Sequence, residues 1–149
     1  MEYRIVPMAE RHLAQIAALE NRCFPDPWAE ALFAEELRNP LSLWLVAEAG
    51  DRILGYVGSQ AVLDSADVMN LAVVPEVRRK GIGAALMEEL GRELAEKGVK
   101  TLLLEVRKSN APAISLYETM GFSLAGVRRN YYLRPREDAL ILQKRLEAI

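Results

Sequence analysis

The clearest chemical signal in the chain is Val73-Val74-Pro75-Glu76-Val77-Arg78-Arg79-Lys80-Gly81-Ile82-Gly83-Ala84. It joins an apolar, strand-like run to the start of a long amphipathic helix. Backbone N–H groups at a helix start lack intrahelical acceptors and carry partial positive charge. Gly81 and Gly83 let that backbone approach an anion closely. Arg78, Arg79 and Lys80 add side-chain charge. Together these features suit a pyrophosphate. The chain has no Gly-Lys-Ser/Thr of a P-loop and no third glycine at the dinucleotide-binding spacing. Taken alone, the segment is equally a basic, glycine-containing loop that merely opens a helix.

Two other residues have the right types to carry protons. Glu105 sits in Leu102-Leu103-Leu104-Glu105-Val106, an apolar strand. Burial there would raise its pKa toward the range a general base needs. The alternative is a strand-end carboxylate paired with Arg107 or solvent. Tyr117 shares a helix face with Asn110 and Ile114 by their i, i+4, i+7 spacing. Its hydroxyl could donate toward a group held near Asn110, although spacing alone also fits a core tyrosine. Asn110, with Pro112 just inside, is in addition a good N-cap.

The elements that must position these residues follow from periodicity. A short strand around Tyr3 and Ile5 precedes a helix over residues 10–23, with Leu13, Ile16, Ala17 and Leu19 at helical spacing. Pro25 and Pro27 end it. A second helix spans 28–38. Strands are predicted at 43–48, 53–63 and 68–74, with turns at 49–52 and 64–67. The helix at 83–97 carries Leu86, Met87, Leu90 and Leu94 on one stripe and stops at Gly98. A buried strand at 101–107, a helix at 110–120 and strands at 122–127 and 139–146 complete the order, with 128–138 as a loop. Strands mixed with crossover helices imply a mixed α/β sheet covered by helices on both faces.

Composition narrows the function classes. The 149 residues fit one domain, 1–149, with a mix of 51% hydrophobic and 27% charged residues normal for a globular protein. A net charge of -2, from 19 basic and 21 acidic residues, lacks the positive field of a nucleic-acid binder. One cysteine, Cys23, and one histidine, His12, allow no internal disulfide and argue against a zinc site. Cys23 reads as a small buried apolar residue. A serine triad would have to use His12, which lies in a polar stretch opening a helix. No apolar run reaches the ~20 residues of a membrane span, and the start lacks a signal-peptide core, so a cytoplasmic protein is expected.

Taken together, the motifs resemble those of the GNAT superfamily of N-acetyltransferases. The resemblance rests on Val-x-Pro followed by Arg-x-x-Gly-x-Gly, on residues 104–110, on Ala113-Ile114-Ser115-Leu116-Tyr117-Glu118-Thr119-Met120-Gly121-Phe122, and on Arg128-Arg129-Asn130-Tyr131-Tyr132 with Arg136-Glu137-Asp138-Ala139. It is similar to the bacterial branch that acetylates the N-terminal alanine of a small-subunit ribosomal protein; Phe24-Pro25 and Trp28 also match that branch. Arg136 stands where that branch often has glycine, which bears on the substrate-side loop.

The resemblance implies a mostly antiparallel sheet with one splayed parallel strand pair. It implies acetyl-CoA as co-substrate, no metal, and a protein N-terminus as acceptor. Cofactor contacts would come from Leu71, Ala72 and Val73, from Arg78, Arg79, Lys80, Gly81, Ile82, Gly83 and Ala84, and from Asn110 and Tyr117. Glu105 would be the base, through a bridging water, and Tyr117 the acid. Phe24, Pro25, Trp28 and Tyr131 would wall the acceptor site. Tyr131 and Tyr132 point to opposite faces if extended, so one of them reaches the peptide. Two other readings stay open: a peptide or small-amine acetyltransferase of broader specificity, and a non-catalytic acyl-CoA sensor that would need neither Glu105 nor Tyr117. A structural or RNA-associated module using the arginine clusters is disfavoured by the near-neutral charge.

Overall fold

The computed structural model describes residues 2–146. Seven strands form one sheet: β1 (Arg4–Pro7), β2 (Ser42–Ala49), β3 (Arg52–Val62), β4 (Ser65–Val73), β5 (Thr101–Arg107), β6 (Ser123–Leu133) and β7 (Arg136–Arg145). Their spatial order is β1-β2-β3-β4-β5-β7-β6. Every neighbouring pair is antiparallel except β4 and β5. Four α-helices accompany the sheet: α1 (Leu13–Cys23), α2 (Glu30–Glu36), α3 (Ile82–Glu96) and α4 (Ala111–Thr119).

The period-2 pattern of β2 explains the layering. Leu45 and Ala47 face one apolar cluster, which also holds Leu86, Leu90 and Leu94 of α3. Trp44 and Val46 face a second, with Leu13, Ile16 and Leu19 of α1 and Phe33 of α2. A strand buried on both faces is apolar at successive positions, as β2 is. Ala113, Ile114 and Tyr117 of α4 pack against the first cluster. Helices α3 and α4 therefore cover one face, and α1 and α2 the other.

Two helices end in the same way. After α3, Gly98 takes φ 89°, its N–H reaches the Ala95 carbonyl, and the Val99 N–H reaches that of Leu94. After α4, Gly121 takes φ 94°, its N–H reaches Glu118, and Phe122 reaches Tyr117. This pairing is the Schellman stop, which places the residue after glycine against the last turn. The Tyr117 and Phe122 rings meet accordingly, 5.6 Å between centroids.

Several expectations need correction. Residues 65–67 are strand, not turn, because they pair with β3 on one side and with Thr101–Leu103 of β5 on the other. Residues 128–138 form the turn end of a long hairpin rather than a loop. Their polar character belongs to an edge strand exposed on both faces. Asn130 at φ 53° lets the register shift between Arg128 and Tyr132, after which Tyr132 pairs with Glu137 and Leu133 with Arg136. Cys23 is half-buried rather than core. His12, in a short 3-10 turn before α1, is buried. Its Nδ1 accepts from the Ala9 N–H at 3.0 Å, so Nε2 is the nitrogen that donates to Glu48 Oε2, at 2.6 Å. That pairing anchors the turn and leaves no imidazole for a triad.

Candidate active site

The site begins where β4 and β5 part. They pair in parallel only from Ser65–Asp67 to Thr101–Leu103. Beyond that, β4 stays with β3 up to Val73 and β5 stays with β7 up to Arg107. One irregularity lies beside the opening. The β3–β4 register shifts between Gly58 and Ser59, leaving Met69 as the extra residue of a β-bulge. Gly58 tolerates no side chain, because a Cβ there would stand 2.1 Å from the Trp44 ring.

Two cavities fill the gap. The first, about 540 Å³, is lined by Leu71, Ala72 and Val73 of β4, by Arg78, Arg79, Gly81, Ile82, Gly83 and Ala84, and by Asn110, Pro112, Ala113, Leu116 and Tyr117 around α4. No side chain caps α3, whose N-cap is Gly81 at φ 81°. The N–H groups of its first turn have no intrahelical acceptor. Arg79 also lies in the left-handed region, φ 66°, a costly conformation for a non-glycine residue and one that marks functional loops. Arg78 folds inward: its Nε donates to the Val73 carbonyl at 3.2 Å and its Nη2 approaches Cys23 Sγ at 3.3 Å. Lys80 is exposed and off the cavity wall.

The second cavity, about 500 Å³, lies between Val68–Leu71 of β4 and Leu104–Arg107 of β5. Its wall continues through Glu20, Phe24, Pro25, Asp26 and Trp28 on one side and Tyr132 on the other. Cys23, Phe24, Leu71, Asn110, Ala113 and Tyr117 line both cavities, so they form the passage between them. Asn110 caps α4, accepting from the Ala113 N–H at 3.3 Å. Burial raises the Tyr117 pKa, which keeps its hydroxyl protonated.

Strand alternation sets the orientation of Glu105. Leu102, Leu104 and Val106 are buried, and Glu105 with Arg107 occupies the opposite face. Its Oε1 pairs with Arg128 Nε at 3.3 Å. Its Oε2 is buried and has no hydrogen-bond partner. Arg107, its partner in the alternative reading, is engaged elsewhere. It donates to the carbonyls of Pro135 and Arg134 at 2.9 and 3.0 Å and stacks over the Tyr132 ring at 4.2 Å.

The two hairpin tyrosines separate. Tyr132 lines the second cavity, and burial is the main cause that pushes its pKa up to about 12. Tyr131 is half exposed and does not line it. The adjacent Glu105 carboxylate is the first cause of its raised pKa. Trp28 is held by its ring, 5.3 Å from Phe33 and 5.8 Å from Trp44, and by its backbone N–H, which donates to Glu20 Oε2 at 3.0 Å.

Sequence reasoning missed three residues here: Glu20, Asn70 and Arg128. Glu20 had a signal, a charge at an apolar-stripe position of α1 four residues after Ile16. Asn70 had none, because only the bulge brings it to the cavity; Arg128 stood only within the resemblance motif, and the hairpin brings it to Glu105. Among the described residues, no group of three or more His, Cys, Asp or Glu could hold a metal ion. No described helix is long and apolar enough to cross a membrane.

Known proteins are similar to this chain in sequence and fold. The chain is 45% identical over 127 residues to the ribosomal protein bS18-alanine N-acetyltransferase of Salmonella typhimurium, covering 83% of this chain and 84% of that one. The Escherichia coli K12 protein of the same name is 44% identical over 126 residues, with coverage of 83% and 84%. The crystal structure of the Escherichia coli ribosomal-protein-S18-alanine N-acetyltransferase superposes with a TM-score of 0.90 at 38% identity, covering 99% of this chain and 96% of that one. The acetyltransferase (GNAT) family pattern matches residues 13–122, which contain the glycine-rich helix start, Glu105 and Tyr117. With the splayed strands and the paired cavities, this shows that the chain belongs to the acetyltransferase (GNAT) family.

Proposed function

We propose that this acetyltransferase moves the acetyl group of acetyl-CoA to the N-terminal α-amine of a protein, and that its acceptor is the N-terminal alanine of ribosomal protein bS18. One observation carries the reaction: two cavities meet at Tyr117 and Asn110, and Glu105, whose Oε2 has no hydrogen-bond partner, lines one of them. The names and identities of the relatives support the acceptor.

In this reading the first cavity takes acetyl-CoA. The first-turn N–H groups of α3, with Arg79 and Lys80 nearby, would hold its pyrophosphate. The backbone of Leu71, Ala72 and Val73 faces the opening and would orient the pantetheine arm and acetyl carbonyl. Phe24, Pro25 and Trp28, with Tyr132 in the place expected of Tyr131, would hold the peptide. Glu105 takes a proton from the incoming ammonium, through a bridging water on Oε2. The freed amine forms a bond to the thioester carbon, and the carbon–sulfur bond breaks. Tyr117 gives its proton to the departing thiolate and regains one from the nitrogen. A non-catalytic sensor would need neither residue at this junction.

The test is mass detection of acetyl transfer to peptides with different first residues. Transfer to an N-terminal alanine over an internal lysine supports the reading. The reverse preference overturns the acceptor assignment.

A further inference from the structure

Glu20 is a buried carboxylate, 1% exposed, that the proposed proton transfers do not use. Its oxygens accept from the Tyr56 hydroxyl, from Asn70 Nδ2 at 2.9 Å to each oxygen, and from the Trp28 N–H at 3.0 Å. None of these donors carries a formal charge. A buried carboxylate costs much free energy unless its lone pairs are satisfied, and charge-assisted hydrogen bonds are the strong kind. The donors come from three separate places: β3, the bulged stretch of β4, and the loop after α1. Glu20 itself belongs to α1.

The placement is selective. Glu20, Trp28 and Asn70 line the acceptor cavity, and none lines the cofactor cavity. Residues 24–28 contain two prolines and no regular structure, so the loop has little hydrogen bonding of its own to fix it. Its anchors are the Trp28 ring, among Phe33 and Trp44, the Trp28 backbone N–H on Glu20, and an exposed ion pair from Asp26 to Arg134 at 3.3 Å. Asn70 stands between the bulge residue Met69 and Leu71, which lines both cavities.

We propose that Glu20 is a positioning residue: its carboxylate joins the acceptor loop at Trp28 to Tyr56 and to Asn70, and so fixes the distance between the loop and β4 across the acceptor cavity. The kinetic part of this proposal rests on the acetyl-transfer reading above; the structural part does not. The joint sets how the acceptor is held and leaves the cofactor's binding alone.

Two measurements on the full chain test it. The first compares KM for an alanine-started peptide with the acetyl-CoA dissociation constant. Glu20→Ala raises the peptide KM roughly tenfold, as expected when hydrogen bonds to a charged group are lost, while acetyl-CoA affinity stays within about twofold. Glu20→Gln recovers part of the loss, because its amide oxygen still accepts from Trp28. The second follows amide hydrogen exchange over residues 24–29. Glu20→Ala speeds exchange at Trp28 by about tenfold or more. Tyr56→Phe keeps the ring and removes one donor; it gives smaller changes in the same directions and serves if Glu20→Ala does not fold.

An unchanged peptide KM with unchanged Trp28 exchange overturns the proposal. So does a parallel loss of acetyl-CoA affinity, which marks a general structural role. If the wild-type protein transfers nothing to the peptide, the functional reading fails, and the exchange measurement still decides the role of Glu20.

Discussion

At the scale of single residues, the account turns on two side chains with different surroundings. Glu105 offers one oxygen to Arg128 and leaves the other without a partner. Tyr117 is enclosed, and burial holds its pKa above the ordinary value. Glu105→Gln should lower kcat by about 10²-fold or more, the usual contribution of a general base, with acetyl-CoA affinity unchanged. Turnover within a factor of two of wild type would remove Glu105 from that role. For Tyr117 the sign of the shift matters. A raised pKa keeps the acid protonated beyond the ordinary tyrosine value of about 10, so its ionisation should cause no fall in kcat below that pH. Tyr117→Phe should slow turnover across the whole range while the protein stays folded. Type and position in the sequence make both residues candidates, and the resemblance implies their roles. The partner of Glu105 was not legible, because Arg128 lies 23 positions away on a strand that the sequence presents as a loop.

At the scale of elements, local chemistry explains what could be read early and what could not. The α3 stripe and its glycine stop are properties of contiguous residues, so the sequence displays them. The same holds for the closing turn of α4, which sets Tyr117 against Phe122. Non-local pairing is different. Residues 65–67 have turn-like composition and become strand only because β3 and β5 flank them. The β6–β7 hairpin is likewise made by pairing rather than by propensity. Two variants probe these supports. Gly58→Ala pushes a methyl group into the Trp44 ring and should destabilise the fold by about 1–3 kcal/mol, read by denaturant unfolding, as overpacking does. Glu48 offers a pH test. The His12 hydrogen bond is the largest cause that holds its pKa below the ordinary carboxylate value of 4.5; burial opposes it, and Arg11 adds to the lowering. A depressed pKa contributes stability that is present above the unfolded value and is lost as pH falls through the folded one. Glu48→Gln should therefore lower Tm at neutral pH, and the gap to wild type should close below about pH 4.5. A gap that is constant with pH would show that the ion pair adds nothing.

At the scale of the whole molecule, the sheet works as a frame with one planned opening. Helices cover both faces, and the strands on each side of the gap are secured by antiparallel partners. The opening can thus stay apart without unravelling, and two substrates can enter and meet in it. Cofactor binding should stabilise the whole frame: acetyl-CoA at 100 times its dissociation constant should add about 2.7 kcal/mol. Absence of a thermal shift at millimolar acetyl-CoA would remove the cofactor from the account. The most direct measurement of the central claim pairs substrate with mechanism. Wild type and Glu105→Gln are incubated with acetyl-CoA and a bS18 N-terminal peptide, and the products are read by mass with fragment mapping. The account predicts a single acetyl group on the N-terminal alanine with wild type and little product with the variant. Acetylation at lysine, or equal product from both proteins, would contradict it.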